Sequence, residues 1–224
     1  MRLSASLALL LSLTAFARDA KDSTHFSLDT TKNLTTIGGT AESTTYRGRH
    51  AVHLTPTPDT ANTDGDMLAI VTGPDFKDGT IELEVAGSPR PGTPADSRGF
   101  IGLAFRVQDK DGKGEYFYLR PTNARCEDQL RRNHSTQYVS APDYPWHRLR
   151  KENPGVYESY IDLDPGAWTK MKVVVSGTTA RLYVNGSAQP ALVVNDLKLG
   201  ESHGQIALWA HTTTDAYFSN LTVK

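Results

Sequence analysis

Trp168-Thr169-Lys170-Met171-Lys172-Val173-Val174-Val175-Ser176-Gly177-Thr178-Thr179-Ala180-Arg181-Leu182-Tyr183-Val184-Asn185-Gly186 is the stretch that decides the fold. Arg181 and Tyr183 alternate with Leu182 and Val184, so a strand over residues 180–184 packs one face and leaves the other polar. The run before it, residues 171–175, is rich in β-branched side chains, and Ser176-Gly177 between the two supplies the reversal of a hairpin. Asn185-Gly186 then ends the second strand with residues that take positive φ at little cost.

Similar runs recur outward from this hairpin, at residues 50–54, 67–71, 80–85, 100–107, 116–120, 136–139, 156–163, 191–194, 206–210 and 216–223. Helical periodicity is nearly absent. Turn chemistry falls in the gaps, at Lys110-Asp111-Gly112-Lys113-Gly114 and at Asp164-Pro165-Gly166. Many short strands between Gly, Asn and Pro turns predict an all-β antiparallel β-sandwich. No repeat, charge block or composition break divides the chain, and the polar loop 86–97 is too short to link domains. Residues 18–224 are therefore expected to form one domain.

The 224 residues carry 24 Lys and Arg against 25 Asp and Glu, a net charge of -1, so no global field draws the chain to nucleic acid or an anionic membrane. A single Cys excludes an internal disulfide and cysteine-rich zinc modules. Arg2, the apolar run 3–16 and the small-x-small pattern Ala15-Phe16-Ala17 predict a signal peptide over residues 1–17. The run is too short for a transmembrane span, which needs about 20 residues. A secreted or periplasmic location is expected.

Chemistry concentrates between residues 116 and 160. On the strand 116–120, Tyr116, Tyr118 and Arg120 share one face while Phe117 and Leu119 share the core-facing one. Two phenols and a guanidinium on one face suit a sugar ring, whose C–H face stacks on aromatics while its hydroxyls form hydrogen bonds. Asn123, Arg125, Arg132, Tyr138, Tyr144, Trp146 and Arg148 extend this candidate binding set, with Arg and Tyr or Trp interleaved as binding surfaces enrich them. Glu127, Asp128, His134 and His147 are the candidate proton-transfer groups. Glu127 and Asp128 also read as partners in an ion-pair network with neighbouring arginines. No cofactor or metal motif stands out: residues 109–115 superficially resemble the start of a calcium loop, but Lys110 and Lys113 weaken its field and a hairpin turn explains it better.

Five segments carry a resemblance: Phe76-Lys77-Asp78-Gly79-Thr80-Ile81-Glu82-Leu83-Glu84, Gly99-Phe100-Ile101-Gly102-Leu103-Ala104-Phe105-Arg106, Trp168 through Gly186, Gly204-Gln205-Ile206-Ala207-Leu208-Trp209, and Phe218-Ser219-Asn220-Leu221. Together they resemble the concanavalin A-like lectin and glucanase jelly roll, laminin-G-like domains included, and in overall layout the secreted 3-keto-disaccharide hydrolase-like family. The resemblance implies a jelly roll that binds an oligo- or polysaccharide, and either a glycoside hydrolase or lyase or a non-catalytic glycan-binding or adhesive module. It also implies that any structural calcium would sit on the sandwich edge. Family 16 glycoside hydrolases on this fold align three carboxylates on one strand; Glu82-Leu83-Glu84 offers two and lacks the third.

Overall fold

The computed structural model describes residues 23–108 and 110–224; the expected signal peptide lies outside them. Two antiparallel sheets pack face to face as a jelly-roll sandwich. In spatial order the eight-stranded sheet runs β13 (Leu192–Val194), β12 (Thr179–Val184), β11 (Thr169–Ser176), β6 (Gly79–Pro89), β15 (Thr214–Val223), β4 (Arg49–Pro56) and β3 (Gly39–Tyr46), with β1 (Thr24–Phe26) paired to β15. The seven-stranded sheet runs β10 (Glu158–Ser159), β9 (Thr136–Ala141), β8 (Gly114–Leu119), β7 (Ile101–Val107), β14 (Gly204–His211), β5 (Asp66–Phe76) and β2 (Leu34–Ile37). Three short helices, α1 (Pro121–Ala124), α2 (Gln129–Asn133) and α3 (Trp146–Glu152), lie between β8 and β10 in the chain. Among the described residues no helix is long and apolar enough to cross a membrane.

The β11–β12 hairpin forms where the alternation predicts it. Met171 pairs with Val184, Val173 with Leu182 and Val175 with Ala180, and all six side chains enter the core between the sheets. Across β6, Leu83 and Ile81 stand opposite Met171 and Val173 and continue the same apolar layer. Glu82 and Glu84 face the other way, where Glu82 pairs with Lys170 at 2.8 Å and Glu84 with Arg49 at 2.5 Å. These carboxylates are engaged on the outer side of the eight-stranded sheet.

The seven-stranded sheet is covered on both faces. Every residue of β7 and β8 is buried: Leu103, Phe105, Phe117 and Leu119 enter the main core, while Ala104, Tyr116 and Tyr118 join Leu68, Ile70, Ala207 and Trp209 in a second apolar cluster. Strands buried on both faces read as nearly continuous apolar runs, which is why residues 100–107 show so little alternation.

Several elements depart from the sequence reading. Strands β1, β2 and β3 escape it because residues 24–46 are rich in Thr and Ser and short of large apolar side chains. The expected strand 156–163 contracts to Glu158–Ser159, since the Ile161 N–H donates to Ser135 Oγ at 2.7 Å and so leaves the ladder. Strand β6 runs to Pro89, into the expected loop, because Ser88 and Pro89 pair with β15. The helices are too short to carry a periodic signal.

Two buried polar groups tie loops to the sandwich. Arg106 is wholly buried at a positive φ of 53°, beside an irregularity in the β7–β14 register. Its guanidinium donates to the carbonyls of Lys77, Gly177 and Gly200, each at 2.8 Å, and to Asp78 Oδ1 at 3.3 Å. One side chain thus joins three loops that connect strands of both sheets. Glu115 accepts from Tyr138 Oη at 2.6 Å and from the Leu199 N–H at 2.8 Å, and burial pushes its pKa up. Tyr138, expected at a binding surface, is instead in the core, where its hydroxyl also accepts from the Lys198 N–H at 2.8 Å.

Arg106→Met keeps the apolar stem of the side chain but removes the guanidinium donors from the Lys77, Gly177 and Gly200 carbonyls. Urea unfolding is expected to show a loss of roughly 3–5 kcal/mol, with Arg106→Lys falling between the variant and the wild type.

Candidate functional site

A single row of residues crosses the outer face of the seven-stranded sheet. Glu158 pairs with Gln137, Gln137 with Tyr118, Tyr118 with Gly102, Gly102 with Trp209, and Trp209 with Leu68. Directly opposed residues hold their side chains on one face about 5 Å apart. Gly102 is the gap in this row. A Cβ there would lie 2.1 Å from the Phe117 carbonyl oxygen and 2.9 Å from Tyr118 Cβ. With only hydrogen at that position, the Tyr118 and Trp209 rings close over it, their centroids 4.7 Å apart. Phe100 meets Tyr118 and His211 edge-on at 5.9 and 5.5 Å, which extends the aromatic floor.

Over this floor lies a cavity of about 540 Å³. Asp64 from the loop before β5, Asp66 from β5 and His211 from β14 line it, with Asp66 directly opposite His211 in register. Arg98, Arg120, Asn123, Arg131, His134 and Arg150 also line it, and the exposed Leu130 and Trp146 reach it from α2 and α3.

The polar groups are held firmly. Arg120, buried, donates to the His134 carbonyl at 3.0 Å, to Tyr118 Oη at 3.1 Å and to Gln137 Oε1 at 3.0 Å. Glu158, also buried, takes Arg150 at 2.7 Å and has Arg120 at 3.8 Å and His134 Nδ1 at 2.8 Å, the last out of line for a well-formed hydrogen bond. Burial holds the His134 pKa below its ordinary value; Arg150 and Arg120 act in the same direction and Glu158 opposes them. Burial thus biases the imidazole toward its neutral form, with Nδ1 turned to Glu158. His211 is fixed at both ring nitrogens, by Asp64 and by Thr213 Oγ1, each at 2.8 Å.

Asp66 opens onto the cavity, yet surrounding protein raises its carboxyl above the usual range, against the pull of the Trp209 indole and His211. The Trp209 N–H influences Asp66 without a well-aligned hydrogen bond to it, and that buried nitrogen has no partner among the described residues. An imidazole biased toward its neutral form and a carboxyl biased toward its protonated form thus share one aromatic-floored cavity.

The cavity gathers Tyr118, Arg120, Asn123, His134 and Trp146 from the residues expected at the site. The others lie elsewhere. Tyr116 is buried beside Trp209 and donates its hydroxyl to the Gly112 carbonyl. Glu127 is exposed, and Asp128 caps α2 by accepting from the Arg131 N–H at 3.1 Å, so neither carboxylate faces the floor. His147 is exposed on α3, edge-on to Trp146. Arg125 pairs with Asp162 at 2.7 Å and with Asp164, outside the cavity. Arg132 rests on Tyr160, and Arg148 lies over Tyr144 while pairing with Glu152.

Conversely, Asp66, Arg98, Phe100, Glu158, Trp209 and His211 join the site without having been expected there. Asp66 and His211 stand one residue outside the runs 67–71 and 206–210, at strand ends that read as turn. The spacing of Trp209 and His211 on one face was the available signal. In the calcium-like segment, Asp109 lies outside the described residues and Glu115 is committed to Tyr138. Among the described residues no group of three His, Cys, Asp or Glu side chains is placed to hold a metal ion.

Residues 27–224 match the 3-keto-alpha-glucoside-1,2-lyase-like domain. The chain belongs to that family. The fold of this 3-keto-alpha-glucoside-1,2-lyase-like domain is similar to that of carbohydrate binding module CBM66 from Bacillus subtilis, with 18% identity, TM-score 0.57, and coverage of 86% of this chain and 96% of that one. A Bacillus subtilis protein of unknown function with a galectin-like fold aligns at 12% identity and TM-score 0.59, over 89% and 94% of the two chains. The VIP36 exoplasmic/lumenal domain, solved with Ca2+ and Man3GlcNAc, aligns at 13% identity and TM-score 0.55, over 85% and 82%. No curated protein matches the sequence.

Gly102→Ala forces the β7–β8 backbones apart under the floor. Chemical denaturation is expected to register a loss of about 1–3 kcal/mol, accompanied by a shift in Trp209 fluorescence as its ring separates from Tyr118.

Proposed function

We propose that this domain binds a carbohydrate over the Tyr118–Trp209 floor and cleaves a glycosidic bond by elimination from a glucoside oxidised at carbon 3. The observation that carries the reading is the pairing, in one cavity, of Asp66, biased toward its protonated form, with His134, biased toward its neutral form. Support for the substrate class comes from the family, described as 3-keto-alpha-glucoside-1,2-lyase-like, and from the likeness to CBM66 and to the mannose-oligosaccharide-bound VIP36 domain. The floor suits a pyranose, whose C–H face stacks on aromatic rings while its rim hydroxyls reach polar side chains. Export through the expected signal peptide accords with a substrate met outside the cytoplasm.

The chemistry follows from the ketone. A carbonyl at carbon 3 acidifies the proton on carbon 2, which a neutral imidazole is suited to remove. In this reading His134 is the base, with the Glu158 carboxylate beside Nδ1 stabilising the imidazolium that forms. The electron pair left on carbon 2 forms a carbon 1–carbon 2 double bond and expels the glycosidic oxygen from carbon 1. Asp66 gives that oxygen a proton. The products are a conjugated enone and the freed alcohol. Arg120 and Arg150, held by Glu158, supply positive potential for the enolate oxygen that develops.

The likeness to CBM66 over 96% of its length favours a second reading, in which the same cavity only binds glycan. The test is the rise of enone absorbance from a 3-keto disaccharide, alongside calorimetric binding of the same sugar. Turnover is expected to fall about 10²–10⁴-fold in Asp66→Asn and in His134→Gln. Unchanged turnover in both variants would remove the catalytic assignment, and binding without product would favour the second reading.

The pH profile follows from the two shifts. The base is lost as pH falls through the lowered pKa of His134, and the acid is lost as pH rises through the raised pKa of Asp66. The dependence of kcat/KM on pH is therefore expected to be bell-shaped, and the acid limb is expected to vanish in His134→Gln.

A further inference from the structure

We propose that the sugar taken by this cavity carries an oxyanion, a carboxylate or a sulfate ester, and that Arg98 and Arg131 are the residues that hold it. The proposal rests on the cavity being a carbohydrate site, as proposed above, and adds the substrate's charge to it.

Of the arginines that line the cavity, Arg120 and Arg150 share the buried Glu158. Arg98 and Arg131 have no such partner: among the described residues neither forms an ion pair with a carboxylate. Both instead converge on one neutral acceptor, Asn123 Oδ1, which Arg98 Nη1 meets at 3.1 Å and Arg131 Nη2 at 3.5 Å. An amide oxygen satisfies a donor but cancels no charge. Arg131 Nε is buried and has no hydrogen-bond partner among the described residues. Burial and the nearby Arg131 hold the Arg98 pKa below its ordinary value, with Asp96 only partly offsetting them.

The acidic residues of the cavity do not supply the missing counter-charge. Asp64 is fully exposed and paired with His211, Asp66 stands opposite His211 in register, and among the described residues neither forms an ion pair with Arg98 or Arg131. Two guanidiniums crowded together with free donor capacity are a fit for a planar or tetrahedral oxyanion, which each can meet with parallel N–H groups. Asn123 is itself buried, and its Nδ2 donates to the His134 carbonyl at 3.3 Å, so the point where the two arginines meet is rigid. The aromatic floor in the same cavity argues for an oxyanion attached to a ring, and the volume of about 540 Å³ leaves room for that ring beside the charged group.

Calorimetry with four probes tests this: a neutral glucose disaccharide oxidised at carbon 3, the same ketone with a 6-carboxylate, the same with a 6-sulfate, and inorganic sulfate. At least one charged disaccharide is expected to bind roughly tenfold or more tightly than the neutral one, with an advantage that shrinks as salt is added. That ratio is expected to fall close to one in Arg98→Gln and in Arg131→Gln, each checked for an unchanged thermal transition. Should Arg98→Gln fail to fold, Arg131→Gln and the salt dependence of the wild type decide the matter. Equal affinity for neutral and charged disaccharides, or a preference that survives in a folded arginine variant, overturns the proposal. Binding of inorganic sulfate, lost in Arg131→Gln, with no binding of any sugar would support the anion site and overturn the carbohydrate reading. Failure of every probe to bind overturns both.

Discussion

The missing side chain at Gly102 is the constraint on which the site depends. In a seven-stranded sheet covered on both faces, each residue on the outer face has opposed neighbours close by, and a Cβ at this position would collide with the β8 backbone. Because it is absent, Trp209 and Tyr118 approach across β7 and form a floor. Phe100 and Arg120, two residues from Gly102 and Tyr118 and just past the ends of β7 and β8, then lie beside that floor. One glycine in a ladder thus determines where an aromatic surface forms and which polar groups border it.

Buried charge is distributed in two distinct ways. Arg106 and Glu115 are sealed and their bonds are met by protein: three loop carbonyls and Asp78 for the first, a phenol and a backbone N–H for the second. They join loops to strands and face no cavity. Glu158 is equally buried but stands behind a cavity wall, where it anchors Arg120, Arg150 and His134 at one point. Burial alone therefore does not mark a functional group. What separates the two sets is whether the charged partners open onto space that a ligand can fill.

Much of the architecture was legible from local pattern. The alternation in residues 180–184 and the Ser176-Gly177 reversal correspond to β12 and its hairpin with β11, because side-chain parity in a half-buried strand is a local property. Side-chain parity also put Phe117 and Leu119 on one face and Tyr116 and Tyr118 on the other, as the structure has them. It did not say which outer-face residues would be open. Tyr116 is covered and its hydroxyl engaged, while Tyr118 floors the cavity. Tyr138 shows the opposite limit: it sits in an Arg- and Tyr-rich segment, yet its ring is in the core because Glu115 offers a buried acceptor there. Asp128 likewise serves its own helix as a cap, a role that three residues of local geometry suffice to create.

The sequence by itself determined the all-β class, the hairpin at residues 171–184 and the presence of an Arg- and aromatic-rich segment, because each depends on neighbours a few residues apart. Only the tertiary structure decided which of those residues meet. Asp66, Gly102, Tyr118, His134, Glu158 and Trp209 come from separate parts of the chain and are brought together by strand order and register. Register is set by the packing of whole sheets against a shared core, and no stretch of sequence read alone carries that information.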